Sequence, residues 1–216
     1  MYKTFTLGGG QLIRLEMLTV KHLDGLVAAA ANGKELYRWS AVPQTREHAE
    51  QYVRAATNCM KKGAAVPFAI LSARDGRVIG STRFWQLEHW SWPASHLRHG
   101  RIDPDVCEIG YTWLSPSTIR TGANIETKLL MLAHAFELWR VLRVCFHPDH
   151  RNELAIRSLA KLGATREGVL REHRLGADDR PSNSVRFSIL AEDWPAIKDR
   201  LIYRLTHHPD AHSAAP

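Results

Sequence analysis

Apolar residues along this 216-residue chain repeat on two different periods, and the switches between them mark twelve elements. Residues 11–17 read as a strand. Val20, Leu23, Leu26, Val27 and Ala30 then recur at helical spacing behind Thr19, a residue suited to an N-cap. A second helix is expected over 46–60, where Ala49, Tyr52, Val53 and Ala56 share a face. Thr45 caps it, with Glu47 and His48 in its first turn. Residues 67–72 and 78–85 form a hairpin about Arg74-Asp75-Gly76-Arg77, whose Asp-Gly step supplies the positive φ of a tight turn.

Residues 106–114 read as a strand with Ile109, Tyr111 and Trp113 on one side and Glu108, Gly110 and Thr112 on the other. A polar turn over 115–121 leads into a helix with Ile125, Leu129, Leu132, Ala133 and Phe136 on its inner face. A short buried strand over 141–146 follows, then a helix over 151–162 closed by Gly163 at its C-terminus. A last hairpin turns at Gly176-Ala177-Asp178-Asp179, and Trp194, Ile197, Leu201 and Ile202 mark a final amphipathic helix. The order β-α-α-β-β-β-α-β-α-β-β-α predicts an α/β (α+β) domain with a mixed central sheet flanked by helices.

Composition narrows the classes. With 44% apolar and 24% charged residues the chain suits one globular domain, expected over 1–205, with a flexible tail over 206–216. No stretch approaches the roughly 20 apolar residues of a membrane span. The start, Met1-Tyr2-Lys3-Thr4-Phe5-Thr6, is too polar for a signal peptide. Cys59, Cys107 and Cys145 read as reduced thiols, so a cytoplasmic protein is expected. The net charge of +7 favours anionic partners, either nucleic acid or a phosphate-rich cofactor. Its Lys and Arg residues are scattered, which weighs against nucleic acid.

The segment from Glu108 to Asn124 carries the chemistry. A helix N-terminus leaves backbone N–H groups unpaired, and a loop containing Gly122 and Ala123 lets phosphate oxygens approach them. A plain helix cap remains open on spacing alone. Ile119-Arg120-Thr121-Gly122-Ala123-Asn124-Ile125-Glu126-Thr127-Lys128 resembles the cofactor loop of the GNAT acetyltransferases, in the branch similar to ribosomal-protein alanine N-acetyltransferases. The resemblance extends to Leu36–Ser40, Pro67–Ile70, Val78–Arg83, Asp149–Glu153, Leu162–Ala164 and Gly168–Arg171. Two positions depart from the wider family: Ile119 stands for Arg or Gln, and Asn124 for Gly or Ala.

The resemblance implies a mostly antiparallel sheet splayed at the cofactor site. It implies acetyl transfer from acetyl-CoA to a primary amine, with a protein N-terminus or an amino-acid-like amine as acceptor and no metal. Acetyl-CoA would lie along backbone amides at Leu114, Arg120, Thr121, Gly122, Ala123 and Asn124, with Asn152 on its pantetheine arm. On residue preference Asn152 is equally a helix cap, and Arg157 reads as a solvated arginine. Glu108 is the candidate general base, with a structural carboxylate paired to arginine as its alternative. Ala155 stands where related enzymes often have a serine near the departing thiolate, so the acid is unassigned.

Residues 86–104 carry Trp90, Trp92, three histidines and two arginines, and are expected to form a wall beside the acceptor. Their spacing, and that of His147-Pro148-Asp149-His150, matches no common zinc site. Three rival readings stand: an enzyme acting on small-molecule amines, a silent CoA-binding domain, and a nucleic-acid binder. A homodimer is compatible with the sequence.

Overall fold

A computed structural model describes residues 10–208. The first six residues, read above as too polar for a signal peptide, and most of the tail at 206–216 lie outside the described residues. The elements follow the expected order. They are β1 (Ile13–Met17), α1 (Leu23–Ala30), α2 (Arg46–Lys61), β2 (Ala65–Ser72), β3 (Val78–Glu88) and β4 (Val106–Leu114). Then come α3 (Ala123–Ala133), β5 (Arg143–Phe146), α4 (Glu153–Leu162), β6 (Thr165–Leu175), β7 (Pro181–Leu190) and α5 (Trp194–Thr206). The local signals act as read: Thr45 Oγ1 accepts from His48 N–H, Gly163 ends α4 at φ 93°, and Gly76 turns the β2–β3 hairpin at φ 71°.

Seven strands form one sheet in the order β1-β2-β3-β4-β5-β7-β6. Every pairing is antiparallel except β4 with β5. That parallel pairing covers Val106 to Glu108 against Arg143 to Cys145 and then stops, although β4 runs on to Leu114. The two strands diverge from there, so the sheet is splayed at its centre.

A core lies on each face. Phe68, Phe84, Met131, Leu132, Phe146, Phe187 and Ile189 pack where α3 and α5 cover the sheet. Leu26, Tyr37, Val53, Ala69 and Trp113 pack where α1 and α2 cover it. Burying side chains of this size contributes about 1.5–3 kcal/mol each.

The alternation expected along β4 needs correction. Tyr111 sits at φ 52°, and the pairing with β3 slips between Ser81 and Arg83. This bulge inserts a residue and reverses the sides that follow. Ile109 therefore packs in the α3-side core, whereas Trp113 packs in the α1/α2-side core. Thr112 turns to the α3 side, where it meets Lys128.

Candidate functional site

The loop after β4 delivers an open helix start. Gly122 caps α3 at φ 78°, and a Cβ there would lie 2.9 Å from Leu12 Cδ1. Arg120, exposed, also takes a positive φ of 69°. Glu126 N–H is the first in the helix to close a turn, 3.0 Å from the Gly122 carbonyl. Among the described residues the N–H groups of Gly122, Ala123, Asn124 and Ile125 have no acceptor. Thr121 Oγ1 donates to the Thr118 carbonyl and steadies the approach. Four unpaired N–H groups at the positive end of a helix suit a pyrophosphate.

Both banks of the splay are braced. Ser115 N–H donates to β3 at the Ile79 carbonyl, so the preceding amide, at Leu114, turns away from β3 towards the opening. Tyr37 Oη donates to the Leu114 carbonyl at 2.7 Å, which leaves that residue's N–H as its free group. Trp39, two residues on, lies under the Arg151 guanidinium at 4.0 Å. The segment between α1 and α2 therefore touches β4 on one bank and the start of α4 on the other. Arg151 is itself held by Asp149, whose carboxyl is lowered to about 2: burial opposes this, and bonds from Arg151 and Ser182 outweigh it.

Asn152 caps α4, its Oδ1 accepting from Ala155 N–H at 3.0 Å. Its amide NH₂ has no partner among the described residues. Arg157 pairs with Glu153 one turn earlier and is exposed. Asn124 Nδ2 lies 3.3 Å from Ser158 Oγ, which ties α3 to α4 below the opening.

Glu108 is buried, at 3% exposure, on the face away from α3. It does not stand free. Arg174 grips both carboxylate oxygens, with Nη1 2.8 Å from Oε1, and His147 Nδ1 lies 2.9 Å from Oε2. Burial raises its pKa, but Arg174 first and then His147 outweigh it, so the carboxyl falls below its ordinary value. An ionised carboxylate only accepts, so Nδ1 of His147 is the donor in this bond, and Nε2 has no partner among the described residues. His173 stands beside it with ring centroids 5.0 Å apart, and its pKa is lowered by burial and then by Arg174. A cavity of about 150 Å³ opens here, lined by Gln86, Glu88, Glu108, Cys145, His147, Leu170, His173 and Arg186.

Two further cations escaped the sequence reading. Lys128 is buried beneath the splay with Nζ 2.9 Å from Thr112 Oγ1 and 5.5 Å from the Phe146 ring. Burial lowers its pKa to about 7. Arg83, at 3% exposure, lies between the rings of Tyr52 and Tyr111. No periodicity marks either residue, because a core lysine and a core arginine look like surface positions until the sheet faces are known.

The 86–104 segment divides. Gln86 and Glu88 reach the cavity. Its body instead wraps a buried carboxylate, Asp105, which accepts from Trp90 N–H at 2.8 Å, Trp92 Nε1 at 2.9 Å and Arg98 Nη1 at 3.2 Å. Arg98 and Arg101 then bond to the carbonyls of Arg140 and Trp139, beyond the end of α3. Among the described residues no His, Cys, Asp or Glu group is arranged to hold a metal, and no helix is long and apolar enough to cross a membrane.

The mostly antiparallel seven-stranded sheet, splayed at its centre and flanked by helices, is a GNAT-like fold. Residues 13–165 match the family model described as an acetyltransferase (GNAT) domain, and the chain belongs to that family. It is similar to a T. thermophilus protein provisionally assigned as an acetyltransferase, with 33% identity, 91% of this chain and 95% of that one covered, and a TM-score of 0.72. A GCN5-related N-acetyltransferase from Brucella melitensis matches at 26% identity over 90% of this chain and 83% of that one, with a TM-score of 0.74. Mycobacterium smegmatis RimJ, solved in complex with CoA-disulfide, shares the fold at 17% identity, with 88% of each chain covered and a TM-score of 0.71. No protein of curated function matches.

Proposed function

We propose that this chain transfers the acetyl group of acetyl-CoA to a primary amine, either a protein N-terminus or an amino-acid-like amine, in the cytoplasm. One observation carries the reading. A single opening in the sheet has unpaired N–H groups at one mouth and a carboxylate–histidine pair beside a cavity at the other. Acetyl-CoA supplies an activated thioester. Gly122, Ala123 and Asn124 would hold its pyrophosphate through backbone N–H groups, with Arg120 and Thr121 shaping the loop. The Leu114 N–H and the Asn152 amide would face its pantetheine arm.

An amine needs to lose a proton to attack. Glu108 belongs to the proton-accepting unit, and its grip by Arg174 gives the direct step to His147 Nε2. Glu108 then fixes the tautomer and stabilises the imidazolium that forms. The small size of the cavity and its two histidines favour an amine-bearing chain end over a bulky polycation.

A thiol-release screen across N-terminal peptides and small amines tests the activity. Thioester turnover with no member of the panel would leave only CoA binding. His147→Gln separates the proton routes: its pH–rate profile should lose the limb set by the histidine. A profile matching wild type would return the base to Glu108 or to solvent.

A further inference from the structure

We infer that Arg83 is an anchor for a carboxylate carried by the acceptor, so that the preferred amines bear an acid group close to the reacting nitrogen. This rests on the acetyl-transfer reading and names its substrate class. Arg83 stands on β3 opposite Gly110, next to the bulge where β4 leaves β5. It shares the sheet face of Glu108. Its guanidinium lies 3.7 Å from the centroid of the Tyr111 ring and 4.9 Å from that of Tyr52. Among the described residues it has no ion pair and no hydrogen bond, and its Nε is fully enclosed.

Buried arginines are otherwise paired, because a guanidinium out of water needs an anion or acceptors to match its five donors. Even the half-buried arginines of this chain are paired in this way: Arg98 has Asp105, and Arg174 has Glu108. Two aromatic faces compensate part of the charge of Arg83 but offer nothing to its N–H groups. A carboxylate fits those donors bidentately, and the flanking tyrosines would enclose the carbon chain behind it. Tyr111 is 40% exposed and holds a strained backbone, so its ring is the movable side of this slot.

The test uses matched pairs: an amino acid against its carboxamide, and a peptide with an acidic second residue against its neutral counterpart. Wild type should favour the acid member of at least one pair by about tenfold or more in kcat/KM, and the pair that responds tells an α-carboxylate from a side-chain one. Arg83→Gln should bring that ratio close to one, and Arg83→Lys, which keeps the charge but loses the fork, should fall between. Calorimetry of the N-acetylated acid and its amide with the CoA-loaded protein gives a readout free of turnover, and the acetyl-CoA Kd of each variant reports an intact fold. Turnover with no preference in wild type, or a preference untouched in Arg83→Gln, overturns the anchor and leaves acetyl transfer standing. Arg83-dependent binding of the acid without turnover keeps the anchor and overturns the transfer.

Discussion

Lys128→Met should stabilise the protein, and by an amount that depends on pH. The lysine lies beneath the splay with no carboxylate beside it among the described residues, and its pKa is pushed from 10.5 to about 7 by burial. At roughly 1.36 kcal/mol per unit, holding this group costs the fold about 5 kcal/mol below pH 6. Between pH 7 and 10.5 the unfolded chain keeps the proton and the folded chain does not. Stability therefore rises with pH across that window, and the cost falls to about 2 kcal/mol by pH 9. Methionine nearly conserves the volume and removes the titration. Thr112 Oγ1 is not orphaned by the change, because it also bonds to Thr82 Oγ1 at 2.8 Å. Urea denaturation of both proteins at pH 6, 7, 8 and 9 gives the difference directly, since every other group titrates alike in the two. The advantage of the variant should shrink by roughly 2–3 kcal/mol from pH 6 to pH 9. A difference that stays flat with pH would refute the buried, depressed amine.

Gly122→Val places a branched residue at φ 78° and drives its Cβ to 2.9 Å from Leu12 Cδ1; acetyl-CoA affinity by calorimetry should fall at least about tenfold, or roughly 1.4 kcal/mol. Glu108→Gln leaves the Arg174 charge unmatched and the His147 tautomer unfixed, so turnover should drop about 10²- to 10⁴-fold while acetyl-CoA affinity stays within about twofold. Replacing residues 91–100 with a Gly-Ser linker strips Trp92 and Arg98 from Asp105. Thermal or urea unfolding should report a loss of about 1–3 kcal/mol. Acceptor preference should persist, because Gln86 and Glu88, which line the cavity, lie outside the replaced stretch.

The order of all twelve elements was legible because periodicity and turn residues are local. Asp75-Gly76, Thr45 and Gly163 each act within a few residues of themselves. The start of α3 was legible for the same reason, since Gly122 and the N–H groups after it are one continuous piece of chain. The facing of β4 was not. A single positive φ at Tyr111 reverses the alternation beyond it, and a tyrosine carries no signal for that conformation. Partners far apart in sequence were equally hidden. Glu108 meets His147 and Arg174 39 and 66 positions away, so its pairing depends on which strands become neighbours. The sequence offered His147 only as part of His147-Pro148-Asp149-His150, a cluster weighed for metal, and the β4–β5 register turns it to Glu108 instead.

The chemistry of the opening follows from which polar groups the fold consumes. Among the described residues the buried carboxylates are all engaged: Glu126 accepts the N–H groups of Gln11, Leu12 and Ile13, Asp105 gathers the 86–104 segment, and Glu108 is gripped by Arg174. The Leu114 carbonyl is taken by Tyr37. What the fold leaves over near the splay is largely donor: the N–H groups of Gly122 to Ile125, that of Leu114, and the guanidinium of Arg83. Such a surplus repels a cationic chain and attracts phosphate and carboxylate oxygens. On the proposed reading, the imidazole of His147 is a better proton acceptor against that field than a second free carboxylate would be. A carboxylate among so many donors is held ionised at a low pKa and takes a proton poorly. Glu108 occupies Nδ1 of His147 and offsets the surrounding positive charge there, while Nε2 has no partner among the described residues. On the proposed reading, Arg174 thus makes Glu108 a fixed counter-ion for His147 rather than the direct base.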